Sequence, residues 1–261
     1  MNIPATTDKQ KEILSYLYSF RYLHTNHFQK LFNHSDKTTV KEWVKDLRDK
    51  GFINKIENEN DSFIDRAKPY IYCLAPLARQ LLKKDDTYDR VVLDRIYREK
   101  KRKPKFINHC LSIADTYLLF LSRKEPDQEL EFFTESELIQ YTYFPQPLPS
   151  AYITVTTKEG TQLYFLDVFD PYTPSFVLRR RVREYLDYAE SGDWEANTNG
   201  EPLPAVLFIC PSSKSKAHVY FYAKAKFEKT YEETVDLYLT TWDTFKSERD
   251  DIWERVSIEE A

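Results

Sequence analysis

The chain has 261 residues, 41% of them hydrophobic and 15% aromatic, enough for about two cored domains. No window approaches the roughly 18 apolar residues of a membrane span, and the N-terminal stretch lacks the charged-then-apolar pattern of a signal peptide. Three distant cysteines, Cys73, Cys110 and Cys210, suggest buried free thiols; neither a disulfide framework nor a zinc site is suggested. A cytoplasmic protein with no cofactor is expected. The net charge of -4 hides a split: residues 1–110 hold 23 Lys and Arg against 15 Asp and Glu, and residues 111–261 hold 15 against 27. A polyanion contact is therefore expected in the front half.

Thr6 or Thr7 can cap a first helix from Asp8 to Tyr18, with Ile13, Leu14, Leu17 and Tyr18 as its stripe. Thr25 caps a shorter helix, Asn26–Phe32. After a polar turn comes the stretch Ser35–Gly51. Ser35 or Asp36 is its N-cap, and Gly51 ends it where positive φ is cheap. Val40, Trp43, Val44 and Leu47 share one face. Lys37, Thr38, Thr39, Lys41, Glu42, Lys45 and Arg48 occupy the others. A helix of this kind standing alone is an ordinary surface helix; preceded by two short helices, it fits a helix-turn-helix.

Phe52–Ile56 alternates like a strand, and Pro69–Leu74 returns as its partner. A hairpin directly after such a helix is a wing. Arg66 and Lys68 lie where a wing would meet phosphate. Ala75–Lys84 is a closing helix, with Pro76 in its first turn. Residues 1–85 are thus expected to form a winged helix-turn-helix. Residues 86–105 read as a basic helical linker, with Asp85–Asp94 helical. Its densest run, Arg98–Lys105, offers Lys100, Lys101, Arg102 and Lys103 as phosphate contacts, or else as solvated charge. His24, His27 and His34 cluster in sequence, but no cysteine joins them at ligand spacing, so no metal site is expected.

Residues 106–261 read as a mixed α/β domain. A helix spans Phe106–Ser122, with Ile107, Cys110, Leu111, Ala114, Leu118 and Leu121 on its stripe. A strand at Leu130–Thr134 follows, then a hairpin of Tyr152–Thr157 and Gln162–Phe169. Ser175–Glu190 is an arginine-rich helix, and Gly192–Pro204 a loop. Ala205–Cys210 is a buried strand, His218–Ala223 another. Tyr238–Thr241 is a last strand before an acidic C-terminal helix.

These motifs together resemble the replication-relaxation proteins of plasmids and other mobile elements. Gln10-x-x-Ile13-Leu14, Phe28-x-x-Leu31-Phe32, Val40-x-x-x-Val44-x-x-Leu47 and Gly51-Phe52-Ile53 follow the family's order. Tyr70-Ile71-Tyr72-x-Leu74 matches its returning strand. Asn108–Asp115 resembles its histidine-containing helix. The resemblance implies a second domain similar to restriction-endonuclease-like cores. There the family pattern is Pro-Asp, then Glu-x-Asp, then a helix with a basic residue four positions before a Tyr. Here the matching stretches are Pro149-Ser150, Asp167-Val168-Phe169 and Arg181-x-x-x-Tyr185.

Ser150 and Phe169 cannot supply charged metal ligands, so catalysis is not expected of this domain. If it is active, the resemblance implies Asp167, Asp170 and Arg181, with Glu184 or Lys158 assisting and Mg²⁺ as cofactor. Otherwise Asp167 pairs with Arg181 or a neighbour. Three functions follow from the sequence. The first is binding of double-stranded DNA through Lys37, Thr38, Thr39, Lys41, Lys45 and Arg48, in replication, mobilisation or transcriptional regulation of a mobile element, with the acidic domain serving homodimerisation or a protein partner. The second is a divergent Mg²⁺-dependent nuclease. The third is a protein-interaction module, favoured by Glu42, Asp46 and Asp49 on the same helix.

Overall fold

A computed structural model describes residues 3–56, 69–230, 235–249 and 251–258. The chain divides into two compact units, residues 1–122 and 123–261. Both are mixtures of helix and strand, and the larger sheet is itself mixed.

In the first unit, α1 (Asp8–Phe20) is opened by a capping box: Thr7 Oγ1 accepts from Gln10 N–H at 3.3 Å, and Gln10 Oε1 accepts from Thr7 N–H at 3.1 Å. Strand β1 (Leu23–His24) leads into α2 (Thr25–Leu31), then α3 (Lys37–Asp49). The cap of α2 is the His24 imidazole rather than Thr25, because His24 Nδ1 accepts the orphan amide of His27. Strands β2 (Ile53–Ile56) and β3 (Ile71–Leu74) pair antiparallel, and β1 adds to the far side of β3. Ile13, Leu14 and Leu17 of α1, Phe28 of α2 and Val40, Val44 and Leu47 of α3 are all buried. Arg66, Lys68 and the expected hairpin tip lie outside the described residues.

Helix α4 (Pro76–Leu82) follows β3 with proline in its first turn. Residues 86–105 are not a free linker. Two short helices lie there, α5 (Arg90–Asp94) and α6 (Ile96–Glu99), before the next long helix begins at Pro104, and Val92, Leu93 and Ile96 are buried. The segment is held by Glu99, whose carboxylate accepts from Arg21 Nη2 and from the Tyr22 hydroxyl, each at 2.5 Å. Helix α7 (Pro104–Arg123) is longer than the expected Phe106–Ser122, and it belongs almost wholly to the first unit.

The second unit is a six-stranded sheet in the order β4-β5-β6-β7-β8-β9. Strands β4 (Glu129–Thr134), β5 (Ala151–Thr157) and β6 (Gly160–Val168) form an antiparallel meander, with the four-residue helix α8 (Glu135–Leu138) after β4. Then β7 (Ala205–Cys210) and β8 (Leu237–Thr241) run parallel to β6. The crossovers are α9 (Ser175–Ser191) and α11 (Ser213–Thr230). Two right-handed crossovers stepping in the same direction put both helices on one face, and α9 and α11 do pack together. Phe165, Phe208, Leu178, Val182, Tyr185, Val219, Ala223 and Phe227 form the core beneath them.

Three expectations are corrected here. His218–Ala223 is part of α11, not a strand. Its Val, Phe and Tyr residues suit strands, but Val219, Ala223 and Phe227 are buried four apart, which is helical spacing. The loop Gly192–Pro204 contains α10 (Asp193–Asn197), anchored by buried Trp194, whose Nε1 donates to Pro202 O at 3.0 Å. The acidic C-terminal helix is replaced by α12 (Trp242–Phe245) and an edge strand, β9 (Glu254–Arg255), antiparallel to β8. Val256 is buried just beyond it, and it packs into the core of the second unit.

Candidate functional site

Helix α3 begins at Asp36. Its carboxylate accepts from Thr38 N–H at 2.8 Å and from Thr39 N–H at 3.3 Å, and these bonds hold its carboxyl below the usual carboxylate range. Thr39 Oγ1 also donates to Asp36, at 2.8 Å. Of the two expected threonine contacts, Thr38 is therefore the exposed one and Thr39 serves the cap. Trp43 is only half-buried and holds the turn before the helix through edge contacts with Phe32 and His34.

At 100° per residue, Lys37, Lys41, Lys45 and Arg48 fall within an arc of about 80°. All four are exposed. Among the described residues the three lysines have no carboxylate within ion-pair distance, whereas Arg48 pairs with Asp49 at 2.8 Å. The acidic residues are largely committed. Asp46 accepts from Lys50 at 2.6 Å and from Gln10 at 2.5 Å. Glu42 alone stays outward with no ion pair among the described residues. One flank of α3 is thus a row of unpaired lysines. Arg48 lies on the same flank, and its charge reaches the Tyr72 phenol of β3. Beyond it, Lys55 lies over the half-exposed Tyr70 ring, 3.3 Å from its centroid.

The second basic candidate, the run after Glu99, is less uniform. Lys100, Lys101 and Lys103 are exposed. Arg102 is half-buried over the Phe106 ring at 5.2 Å, its Nε shielded from solvent.

His24 and His27 stack with ring centroids 3.5 Å apart, and His27 Nε2 lies 3.0 Å from Asp115 Oδ1. Among the described residues these are the three side chains close enough to share a metal ion. Their hydrogen bonds argue otherwise. Both Nδ1 atoms accept backbone amides, at 3.2 and 3.4 Å, so in the neutral rings the protons sit on Nε2. A protonated nitrogen donates and cannot ligate. The group ties α2 to α7, and burial followed by the neighbouring His27 lowers the His24 pKa to about 4. His34 sits elsewhere, against Trp43.

In the second unit, Asp167 lies near the end of β6 and is buried. Arg181 of α9 donates from Nε to Asp167 Oδ2 at 2.6 Å, from Nη1 to Pro147 O at 2.7 Å and to Glu184 Oε2 at 3.3 Å, and from Nη2 to the Tyr185 hydroxyl at 2.9 Å. The Tyr185 hydroxyl in turn donates to Asp167 at 2.9 Å. Burial and Asp167 hold the Tyr185 phenol well above its usual range. The guanidinium therefore takes up the carboxylates that a divalent cation would need. Ser150 Oγ accepts from Val168 N–H at 3.2 Å, and Phe169 packs edge-on against Phe208 at 5.0 Å. Asp170 follows the strand in a half-buried loop. Lys158 is remote: it sits in the turn before Gly160, seven residues of extended strand or roughly 23 Å from Asp167, beside Asp127.

The profile of the family described as replication-relaxation matches residues 14–203. The chain belongs to the replication-relaxation family. The match takes in α3, the β2–β3 pair, α7 and the Asp167–Arg181 site, and ends just before β7. No curated protein matches this replication-relaxation chain. Among solved structures it is similar to restriction endonuclease FokI, with 11% identity and a TM-score of 0.35. That alignment covers 91% of the replication-relaxation chain and 42% of the FokI chain. Sequence reasoning missed Glu99 and the His27–Asp115 pair. Glu99 sits inside a basic run that looked solvated, and the second pair is 88 residues apart.

Proposed function

We propose that this protein binds double-stranded DNA through α3, as a winged helix-turn-helix, in the replication, mobilisation or transcriptional control of a plasmid or other mobile element. The observation that carries the reading is the row Lys37, Lys41 and Lys45, exposed and unpaired among the described residues on a rigidly capped helix. Lysine ammonium groups that are not neutralised in place exchange counterions with phosphate on binding. The helix lies along the major groove, with Thr38 and the lysines toward base edges and phosphates. The β2–β3 hairpin serves as the wing, with Lys55 and Tyr70 beside the groove. Family membership supports the mobile-element setting.

The second unit acts as a non-catalytic platform for a second copy or a partner protein. Asp167 is a structural carboxylate, held by Arg181 and Tyr185. The reading of α3 as a protein-binding surface loses support, because Asp46 and Asp49 are already paired. The test is an electrophoretic shift with duplex DNA flanking the gene, run at two salt concentrations. Lys41→Ala with Lys45→Ala is expected to weaken binding and flatten its salt dependence. Unchanged binding by that variant would overturn the proposal.

A further inference from the structure

The acidity of residues 111–261 is not evenly spread. Helices α9 and α11 carry nine of that segment's fifteen Lys and Arg, against four Asp and Glu. Three of the nine are committed: Arg181 to Asp167, Arg180 to Glu184 and Lys216 to Glu254. Arg179, Arg183, Lys214 and Lys226 have no carboxylate within ion-pair distance among the described residues.

The same helix pair exposes aromatic rings. Phe176 is 59% exposed and Phe221 68%, and Tyr172, in the loop entering α9, is 90% exposed. The two helices meet where His218 Nδ1 lies 3.4 Å from Ser175 Oγ, so Phe176 is next to the junction and Phe221 one helical turn beyond it. Between them, the Tyr222 ring lies 5.9 Å from both the Arg179 guanidinium of α9 and the Lys226 ammonium of α11. Cations and aromatic rings therefore alternate across one outer surface of the unit. The core-forming residues of both helices, Leu178, Val182, Val219 and Ala223, point the other way.

We propose that the outer face of α9 and α11 is a second nucleic-acid surface, for single-stranded DNA. The cations supply phosphate contacts. The exposed rings argue for a single strand, because a duplex stacks its bases internally and offers no free π-face, whereas unpaired bases stack on Phe and Tyr. The choice of DNA rests on the reading of α3 as a duplex-binding helix. The surface itself does not use α3, Asp167 or Tyr185.

The test is fluorescence anisotropy of the full chain with a labelled oligo-dT strand, titrated at several salt concentrations. The experiment is run in the wild type and in the Lys41→Ala/Lys45→Ala background, so that failure of the α3 reading cannot pass for failure of this one. Binding is expected to persist in that background. Adding Arg179→Ala, Arg183→Ala and Lys226→Ala should lower the salt slope by about two, since each phosphate contact to a single strand contributes about 0.7. Phe221→Ala, at an exposed position that leaves the fold intact, should weaken oligo-dT about tenfold, the loss of one stacked base. It should leave duplex binding unchanged. The proposal is overturned if oligo-dT does not bind at low salt, if either set of substitutions leaves binding unchanged, or if oligo-rU binds more tightly than oligo-dT.

Discussion

Removing the Arg181 guanidinium alone should unfold the second unit far more readily than removing the whole ion pair. Arg181 is 6% exposed and Asp167 8%. In Arg181→Ala, among the described residues, the Asp167 carboxylate keeps the Tyr185 hydroxyl alone, the Pro147 carbonyl loses its donor, and Glu184 keeps only Arg180. Stranding one buried charge costs about 3–5 kcal/mol. In Arg181→Met with Asp167→Leu no charge is stranded, and the cost should fall below about 2 kcal/mol. The assay is urea unfolding followed by tryptophan fluorescence, because Trp194, Trp242 and Trp253 lie in the second unit and only Trp43 in the first. A cost under about 1 kcal/mol for Arg181→Ala, or a double variant no better than the single one, would refute the reasoning. The guanidinium would then not be what balances Asp167.

Four further outcomes follow. Plasmid DNA incubated with the protein and Mg²⁺ or Mn²⁺ should stay uncut; cutting that Asp167→Ala abolishes would restore the nuclease reading. The Cys73 and Cys210 thiols are buried and pushed up to about 12, and Cys110 is buried too. None should react with a thiol reagent at pH 8 until denaturant is added. His24 has a folded pKa of about 4, below its ordinary 6.5, so the unfolded chain binds the proton more tightly. The stability this gives is present above pH 6.5 and is lost as pH falls toward 4. Protection factors of the α2 amides, corrected for intrinsic exchange, should fall over that window, and His24→Asn, which keeps a capping side chain, should flatten the dependence. Gly51 has φ +81° in open space, with Leu77 Cδ2 no nearer than 4.0 Å to an added Cβ. Gly51→Ala should therefore cost about 1 kcal/mol, from backbone strain alone, read as a lower melting temperature.

The local elements of this chain were legible because local chemistry sets them. Asp36, the Val40–Val44–Leu47 spacing and Gly51 define α3 without help from elsewhere, and the β5–β6 hairpin is fixed by alternation around Lys158–Thr161. The errors arose where tertiary burial overrode composition. The run Val-Tyr-Phe-Tyr in α11 has strand-forming side chains, but its neighbours at i+4 spacing bury a helical face. The segment 86–105 reads as a basic helical linker because Glu99 is one acid among many bases; its partners, Arg21 and Tyr22, are 78 and 77 residues away. The Asp167–Arg181 pair could be anticipated because the helix follows the strand directly and a lone carboxylate needs a cation. The cations of α9 were legible as an arginine-rich helix, but their union with those of α11 was not, because 218–223 has strand-forming side chains and because charge summed over half the chain averages over surfaces that the fold separates.

The most direct test of the central claim is a hydrogen-exchange footprint of the full chain with and without duplex DNA at low salt. Protection is expected on α3, strongest at residues 37–45, and on the adjoining β2 and β3 strands. Duplex binding that leaves α3 unprotected, or that protects only the second unit, would contradict the account.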